Sequence, residues 1–268
     1  MSIACLIRRT GLALLLAAAG TLALAQAQKK PQSEAPVYEP TVFQEGKDVV
    51  WVPTPQVVVD KMLDLAKVTP ADFVMDLGSG DGRTVITAAR RGARALGVEY
   101  NPDMVALSKR NAEKNGVADK AKFVKADLFE TDFSRATVIT MFLLPDINLK
   151  LRPKILDLKP GTRIVSNTFT MDDWEADATA DLGAEGGCNA SWCTALLWFV
   201  PARVGGIYRT WQGDLVLIQQ FQKLTGSLRT DDGKMLAVTG KVTGENISFK
   251  AGGREYRGRM NGKILELK

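Results

Sequence analysis

Eight consecutive residues, Asp76-Leu77-Gly78-Ser79-Gly80-Asp81-Gly82-Arg83, combine acids and glycines in a pattern suited to gripping a small ligand. Glycines let the backbone approach a ligand closely, and a helix that follows offers free N–H groups at its start. Glu99 and Asp127 lie further along, each closing a short apolar run. Nucleotide-binding α/β folds place a carboxylate for ribose hydroxyls about twenty residues beyond their glycine loop. If the runs are neighbouring strands, Asp76, Glu99 and Asp127 gather along the carboxyl edge of one sheet, where open α/β sheets bind ligands.

The loop chemistry narrows the ligand. G-x-x-x-x-G-K-[ST] is absent, which excludes a P-loop nucleotidase. Arg83 stands where the dinucleotide fingerprint has its third glycine, and Asp76 and Asp81 would crowd an anionic pyrophosphate. An acidic loop suits a ligand bearing an ammonium or a sulfonium. S-adenosylmethionine (SAM) carries both, with a ribose for Glu99 and an adenine amino group for Asp127. The plainer reading of the same residues is a strand-turn-helix with capping aspartates and no ligand. The 268 residues include no histidine, so a Ser-His-Asp triad, an H-E-x-x-H zinc site and a histidine general base are all excluded. No metal site is expected.

These residues need a frame to hold them. Hydrophobic residues make up 46% and charged residues 24%, ordinary values for a folded domain, and a net charge of +5 is too mild and mixed to indicate nucleic acid. Strands are predicted at 73–77, 95–99, 122–126, 138–143 and 163–167. Helices are predicted at 83–91, at 102–115 with Pro102 in the first turn, and at 148–158 before Pro160-Gly161. The alternation predicts an α/β fold, an open parallel sheet with helices on both faces.

Asp76 to Arg83, followed by Gly97-Val98-Glu99-Tyr100-Asn101-Pro102, resembles the class I SAM-dependent methyltransferases. More narrowly, five features are similar to the protein-lysine methyltransferases of the ATP synthase c subunit and the adenine nucleotide translocase. They are Val52-Pro53-Thr54-Pro55, Asp127-Leu128, Phe142-Leu143-Leu144-Pro145, the run from Pro160 to Ser166, and Trp174. The resemblance implies a Rossmann-like sheet with SAM as cofactor. It implies that Asp76, Gly78, Gly80 and Gly82 hold the methionine part, Glu99 the ribose, and Asp127 with Leu128 the adenine, with Pro53, Thr54 and Pro55 covering the ligand.

The implied reaction is methyl transfer to an amine, a protein lysine first among them. The fourth strand ends in Leu144-Pro145-Asp146 rather than Asn/Asp-Pro-Pro-Tyr, which disfavours a nucleic-acid base as acceptor. Asp146 is the candidate catalytic carboxylate, to orient or deprotonate the acceptor, and equally a cap for the helix at 148–158. The other function class is a non-catalytic SAM or adenosyl-ligand binding protein acting as an envelope assembly or interaction factor.

The chain ends carry separate signals. Residues 1–27 have a basic start at Arg8-Arg9, an apolar run and small residues at Ala25-Gln26-Ala27, the pattern of a signal peptide for a periplasmic or otherwise exported protein. A retained anchor is the competing reading, and the paired arginines also fit a twin-arginine signal. Residues 28–47, with Pro31, Pro36 and Pro40, read as a linker. Cys188 and Cys193 are either a small-loop disulfide of an oxidising compartment or two thiols. Six acids between Asp172 and Glu185, with no Lys or Arg among them, form either a lure for a basic substrate or a solvated loop. Trp174 and Trp192 flank that stretch and either line an acceptor groove or pack in the core.

The methyltransferase domain is placed at 48–204 and a small β-rich domain at 205–268. The latter holds 11 of the 24 glycines, with strands predicted at 214–222, 235–242, 246–250 and 263–267, the first of which could still belong to the preceding sheet. It carries 11 basic against 6 acidic residues, a surface for an anionic membrane or acidic partner, or simply lysines guarding strand edges.

Overall fold

The computed structural model describes residues 38–268, so the proposed signal peptide and the first part of the linker, through residue 37, lie outside the described residues. Helix α1 (Gln56–Leu65) opens the first layer, followed by β1 (Phe73–Leu77), α2 (Arg83–Arg90), β2 (Arg94–Glu99), α3 (Pro102–Lys114), β3 (Ala121–Lys125), β4 (Val138–Met141), α4 (Pro145–Leu156), β5 (Arg163–Asn167), β6 (Ala178–Asp181) and β7 (Thr194–Phe199). The sheet order is β3-β2-β1-β4-β5-β7-β6. Five strands run parallel, and β7 runs antiparallel to both β5 and β6. The buried runs Phe73–Leu77 and Arg163–Asn167 suit central strands covered on both faces.

Local chemistry sets the helix ends. Pro102 occupies the first turn of α3 as expected, and Asn101 caps it, its Oδ1 accepting the Asp103 amide at 2.9 Å. Helix α4 begins at Pro145, three residues earlier than predicted, because the same fixed proline φ favours a first-turn position. Its N-cap is therefore Leu144, and Asp146 lies inside the first turn rather than at a cap. The sequence reading misses α1, which starts on Pro55 and buries Val58, Val59, Met62 and Leu63.

Strands β8 (Gly206–Thr210), β9 (Gly213–Gln220), β10 (Lys223–Thr230), β11 (Met235–Thr243), β12 (Asn246–Ala251), β13 (Arg254–Asn261) and β14 (Ile264–Leu267) form a second sheet, each antiparallel to the next. The strand predicted at 214–222 is β9 and belongs to this sheet, while β7 and β6 complete the first one. β8, β10 and β13 escape the sequence reading because exposed polar residues outnumber their buried ones, as in Lys223–Thr230. One face of the sheet closes on Leu215, Leu217, Leu224, Leu228, Val238 and Phe249, and Phe249 stacks on its cross-strand partner Tyr256 at 4.9 Å.

The two sheets touch through Trp174, which is fully buried and stacks on Phe221 at 5.9 Å while its carbonyl accepts the Trp198 indole N–H at 2.7 Å. Trp174 thus packs in the core and lines no groove. Hydrogen bonds add to the junction, with the Ala202 amide donating to the Gly244 carbonyl and the Gln222 side-chain Nε2 donating to the Glu175 carbonyl.

At the opposite edge from the ligand loop, Asp72 ties strand starts together. It accepts hydrogen bonds from the Thr69 amide (2.8 Å) and the Thr137 hydroxyl (2.7 Å) and pairs with Arg163. Burial alone would raise its pKa, but those donors and the guanidinium outweigh it and hold it below the ordinary value. Its stabilising contribution is therefore present above about pH 4 and is lost on acidification. Asp72→Ala leaves Arg163 without its carboxylate and is expected to cost about 2–4 kcal/mol in urea unfolding at pH 7.

Candidate active site

Parallel register builds the site. β1 pairs with β2 so that Asp76 faces Gly97, and with β4 so that Asp76 faces Thr140. The end of β2 then captures the turn after β1. The amides of Gly78 and Ser79 both donate to the Val98 carbonyl, at 2.9 and 3.0 Å, and the Gly80 amide donates to Glu99 Oε2 at 2.9 Å. The other Glu99 oxygen accepts the Asn101 amide at 2.9 Å. Gly80 has φ of +53°, and a Cβ there would stand 2.6 Å from Trp51 Nε1, so only glycine fits.

Most of the turn's amides are thereby spent. The Gly82 amide donates to the Ser79 carbonyl and the Arg83 amide to Asp81, so residues 78, 79, 80, 82 and 83 offer no free N–H to a phosphate. The wall is instead acidic. A cleft of about 1050 Å³, counted out to its open mouth, is lined by Asp76, Asp81, Glu99 and Asp127, together with Trp51, Tyr100, Met104, Phe142 and Leu143.

Two of these acids pair with a cation, and a third is held by backbone amides. Asp81 pairs with Arg83 at 2.6 Å, Glu99 holds the two amides, and Asp127 accepts from Lys47 Nζ at 2.5 Å and from the Phe129 amide at 2.9 Å. Lys47 also lies 5.1 Å from the Tyr100 ring centre. Each member of the Lys47–Asp127 pair favours the charged form of the other, which pushes the lysine pKa up and the aspartate pKa down.

Asp76 is different. It is buried, and the Thr140 hydroxyl donates to its Oδ1 at 2.6 Å. Burial, with further repulsion from Glu99 and Asp81, outweighs that hydrogen bond and pushes its pKa up to about 7. A ligand ammonium beside it would reverse the balance. Ser79 Oγ, close by in the same turn, is a buried hydroxyl with no protein partner.

The expected site residues fall into two groups. Pro53, Thr54, Asp76, Gly78, Gly80, Glu99, Asp127 and Leu128 line the cleft. Pro55 does not; it caps α1. Gly82 sits behind the turn at the start of α2, packed against Phe123 and Ser108. Asp146 is exposed and outside the cleft wall, where its charge favours the N-terminus of α4. Sequence reasoning overlooks Lys47, Trp51 and Thr140. The first two fall at or beside the expected linker, yet 38–50 packs on the domain, where the Phe43 amide donates to the Trp51 carbonyl, the Trp51 amide donates to the Gln44 carbonyl and Lys47 reaches Asp127.

A family model described as the ANTKMT methyltransferase domain matches residues 76–178. A protein-lysine N-methyltransferase of Saccharolobus islandicus is 50% identical over 129 residues, which cover 47% of this chain and 80% of that protein. The chain belongs to the ANTKMT-type SAM-dependent methyltransferases. The methyltransferase is also 36% identical over 113 residues to the lysine N-methyltransferase of the ATP synthase c subunit from Mus musculus, covering 42% of this chain and about half of the relative, 46%. Among solved structures, an RNA methyltransferase from Salinibacter ruber in complex with S-adenosyl-L-homocysteine is 48% identical, with a TM-score of 0.53, and covers 57% of this chain and 96% of that one.

The methyltransferase uses SAM, and its residues fit that ligand. Asp76 is a buried wall acid held by a hydroxyl and by no cation among the described residues, the turn offers no phosphate nest, and the glycine at 80 leaves space only a backbone approach can use.

Proposed function

We propose that the protein transfers a methyl group from SAM to the side-chain amine of a lysine in another protein, in an exported compartment. The observation that carries the acceptor is the 50% identity, over four fifths of its length, to a protein-lysine N-methyltransferase. The apolar rim at Phe142 and Leu143 agrees with it.

In this reading Asp76 receives the ammonium of the methionine part, Glu99 the ribose hydroxyls through its remaining lone pairs, and Asp127 with Leu128 the adenine edge. Lys47 shares Asp127 and closes that end. Pro53 and Thr54 cover the ligand from the side of Arg83, whose guanidinium donates to the Thr54 carbonyl at 2.9 Å. When bound, SAM supplies an electrophilic methyl on a sulfonium. The chain must therefore deliver a neutral amine in line with it. An unperturbed lysine, pKa near 10.4, costs about 4–5 kcal/mol to deprotonate at neutral pH. The apolar wall at Phe142, Leu143 and Met141 lowers that cost by excluding water. Positioning supplies the rest, and Asp146, exposed outside the cleft, takes no part.

Export is supported by the pattern of residues 1–27 and by a Cys188–Cys193 disulfide, which suits an oxidising compartment. Protein recovered from a periplasmic fraction is expected to begin near Gln28, checked by N-terminal sequencing.

The activity test incubates purified protein with methyl-tritiated SAM and a bacterial envelope-protein fraction, followed by acid hydrolysis. Labelled methyl-lysine is expected. Label in added RNA instead would move the acceptor to nucleic acid, and tight S-adenosylhomocysteine binding without transfer to either would favour the non-catalytic alternative.

A further inference from the structure

Beyond the cleft, three half-buried aromatic rings lead away from its wall. Phe142 lines the cleft, Phe169 stacks on it with ring centres 5.7 Å apart, and Trp192 meets it edge-on at 6.1 Å. The three come from separate segments, the ends of β4 and β5 and the connection entering β7. None of them serves a core cluster of the first sheet, whose buried members do not include them.

The segment that carries Trp192 is unusual. Residues 182–193 connect β6 to β7 with three glycines, Gly183, Gly186 and Gly187, a composition that leaves a long loop many conformations. The Cys188–Cys193 disulfide closes half of it, with both cysteines buried and their Cα atoms 5.8 Å apart. Crosslinking removes freedom from that loop, and Trp192, next to Cys193, is held in the closed ring. The Leu182 amide bonds to the Cys193 carbonyl and the Thr168 amide to the Thr194 carbonyl, tying the ring to the end of β5.

Polar groups beside Phe169 are also unspent. Asn148 Nδ2 donates to the Phe169 and Thr170 carbonyls, but its Oδ1 is buried without a partner, and so is Asn167 Nδ2. Thr168, between Asn167 and Phe169, has a φ of +60°, a costly conformation for a branched residue. Native folds rarely leave such atoms and such strain in place except where a ligand or function uses them.

We propose that Phe142, Phe169 and Trp192 are the acceptor subsite, three aromatic walls that receive the ammonium of the incoming lysine, and that the Cys188–Cys193 disulfide positions Trp192 as the outermost wall. The inference rests on the lysine reading above and names how that site takes its substrate. Aromatic faces attract an ammonium, and more so a partly methylated one, so this surface captures the charged acceptor; the proton leaves to solvent water as the amine moves on to the apolar cleft wall, where exclusion of water favours the neutral form beside the methyl. Trp192 is accordingly a specificity-determining residue, and the disulfide a positioning element for acceptor binding alone.

The test measures steady-state methyl-lysine formation against a titrated envelope-protein fraction, together with S-adenosylhomocysteine affinity by calorimetry. Trp192→Ala is expected to raise the apparent KM for acceptor about tenfold, with kcat changed less and ligand affinity unchanged. Trp192→Phe is expected to restore most of the loss. Reduction of the disulfide by excess dithiothreitol, or the Cys188→Ser/Cys193→Ser double variant, is expected to reproduce the Trp192→Ala phenotype. An unchanged KM in Trp192→Ala overturns the inference and leaves the lysine reading intact. A Trp192→Phe variant as impaired as Trp192→Ala, or loss of S-adenosylhomocysteine binding in either, overturns it by showing that Trp192 acts through folding. Absence of methyl-lysine with the wild-type protein removes both readings together.

Discussion

Glu99→Ala is expected to weaken S-adenosylhomocysteine binding by roughly 10- to 150-fold, the equivalent of losing a charge-assisted hydrogen bond worth about 1.5–3 kcal/mol. Two losses combine. The ribose loses its acceptor, and the Gly80 and Asn101 amides lose the carboxylate that fixes the turn. The second loss also has a cost in stability, because both are partly buried donors left without a partner. Glu99→Gln keeps one carbonyl oxygen and is expected to fall between the two proteins. Calorimetric titration measures affinity, and a thermal melt of the ligand-free protein separates the structural share. Wild-type affinity in Glu99→Ala would mean that β2 does not end at the ribose.

Asp76→Asn should act in opposite directions on stability and on binding. The folded carboxyl has a pKa of about 7 against an ordinary 3.8, so the fold holds this proton more tightly than the unfolded chain does. The corresponding stability is fully present below about pH 4 and is lost as pH rises to about 7, an effect on the order of 4 kcal/mol. At pH 8 the ligand-free wild type therefore carries a buried charge that Asn removes, and Asp76→Asn is expected to melt higher. The same variant is expected to bind S-adenosylhomocysteine at least about tenfold more weakly, since the ligand ammonium loses its carboxylate. Wild-type affinity should rise about tenfold per pH unit below pH 7 and level off above it, with proton release on binding. A variant that melts lower at pH 8 and still binds tightly would place the ammonium elsewhere.

These two residues also show what is legible in the chain. Asp76, Glu99 and Asp127 can be found because acids that follow short apolar runs at regular intervals are a local pattern, and parallel strands bring successive ends to one edge. The glycines at 78 and 80 are legible for a similar reason, being local requirements of a tight turn. The helix at Pro102 and the strands Phe73–Leu77 and Arg163–Asn167 follow from capping chemistry and apolar runs read over a few residues.

Other features depend on separations that local patterns do not encode. Thr140 reaches Asp76 only because β4 pairs with β1, across 64 residues of chain. Lys47 reads as linker, since its polar, proline-punctuated surroundings resemble one, yet it meets Asp127 at 80 residues' separation. The antiparallel entry of β7 and the aromatic line from Phe142 to Trp192 are equally hidden, because a strand's direction and a ring's neighbours are set by packing. Asp146 differs in the opposite way, a local cap signal that lies inside the first turn because Pro145 starts α4 early.

The ligand's chemistry was legible in the chain, as an acidic glycine turn with ordered acids and no histidine, because those properties reside in residue type and short spacing. Which acid is buried away from any cation, and what closes the cleft, came from the folded chain alone, because a carboxylate's charge state and a cavity's walls depend on groups that only strand register and burial bring together.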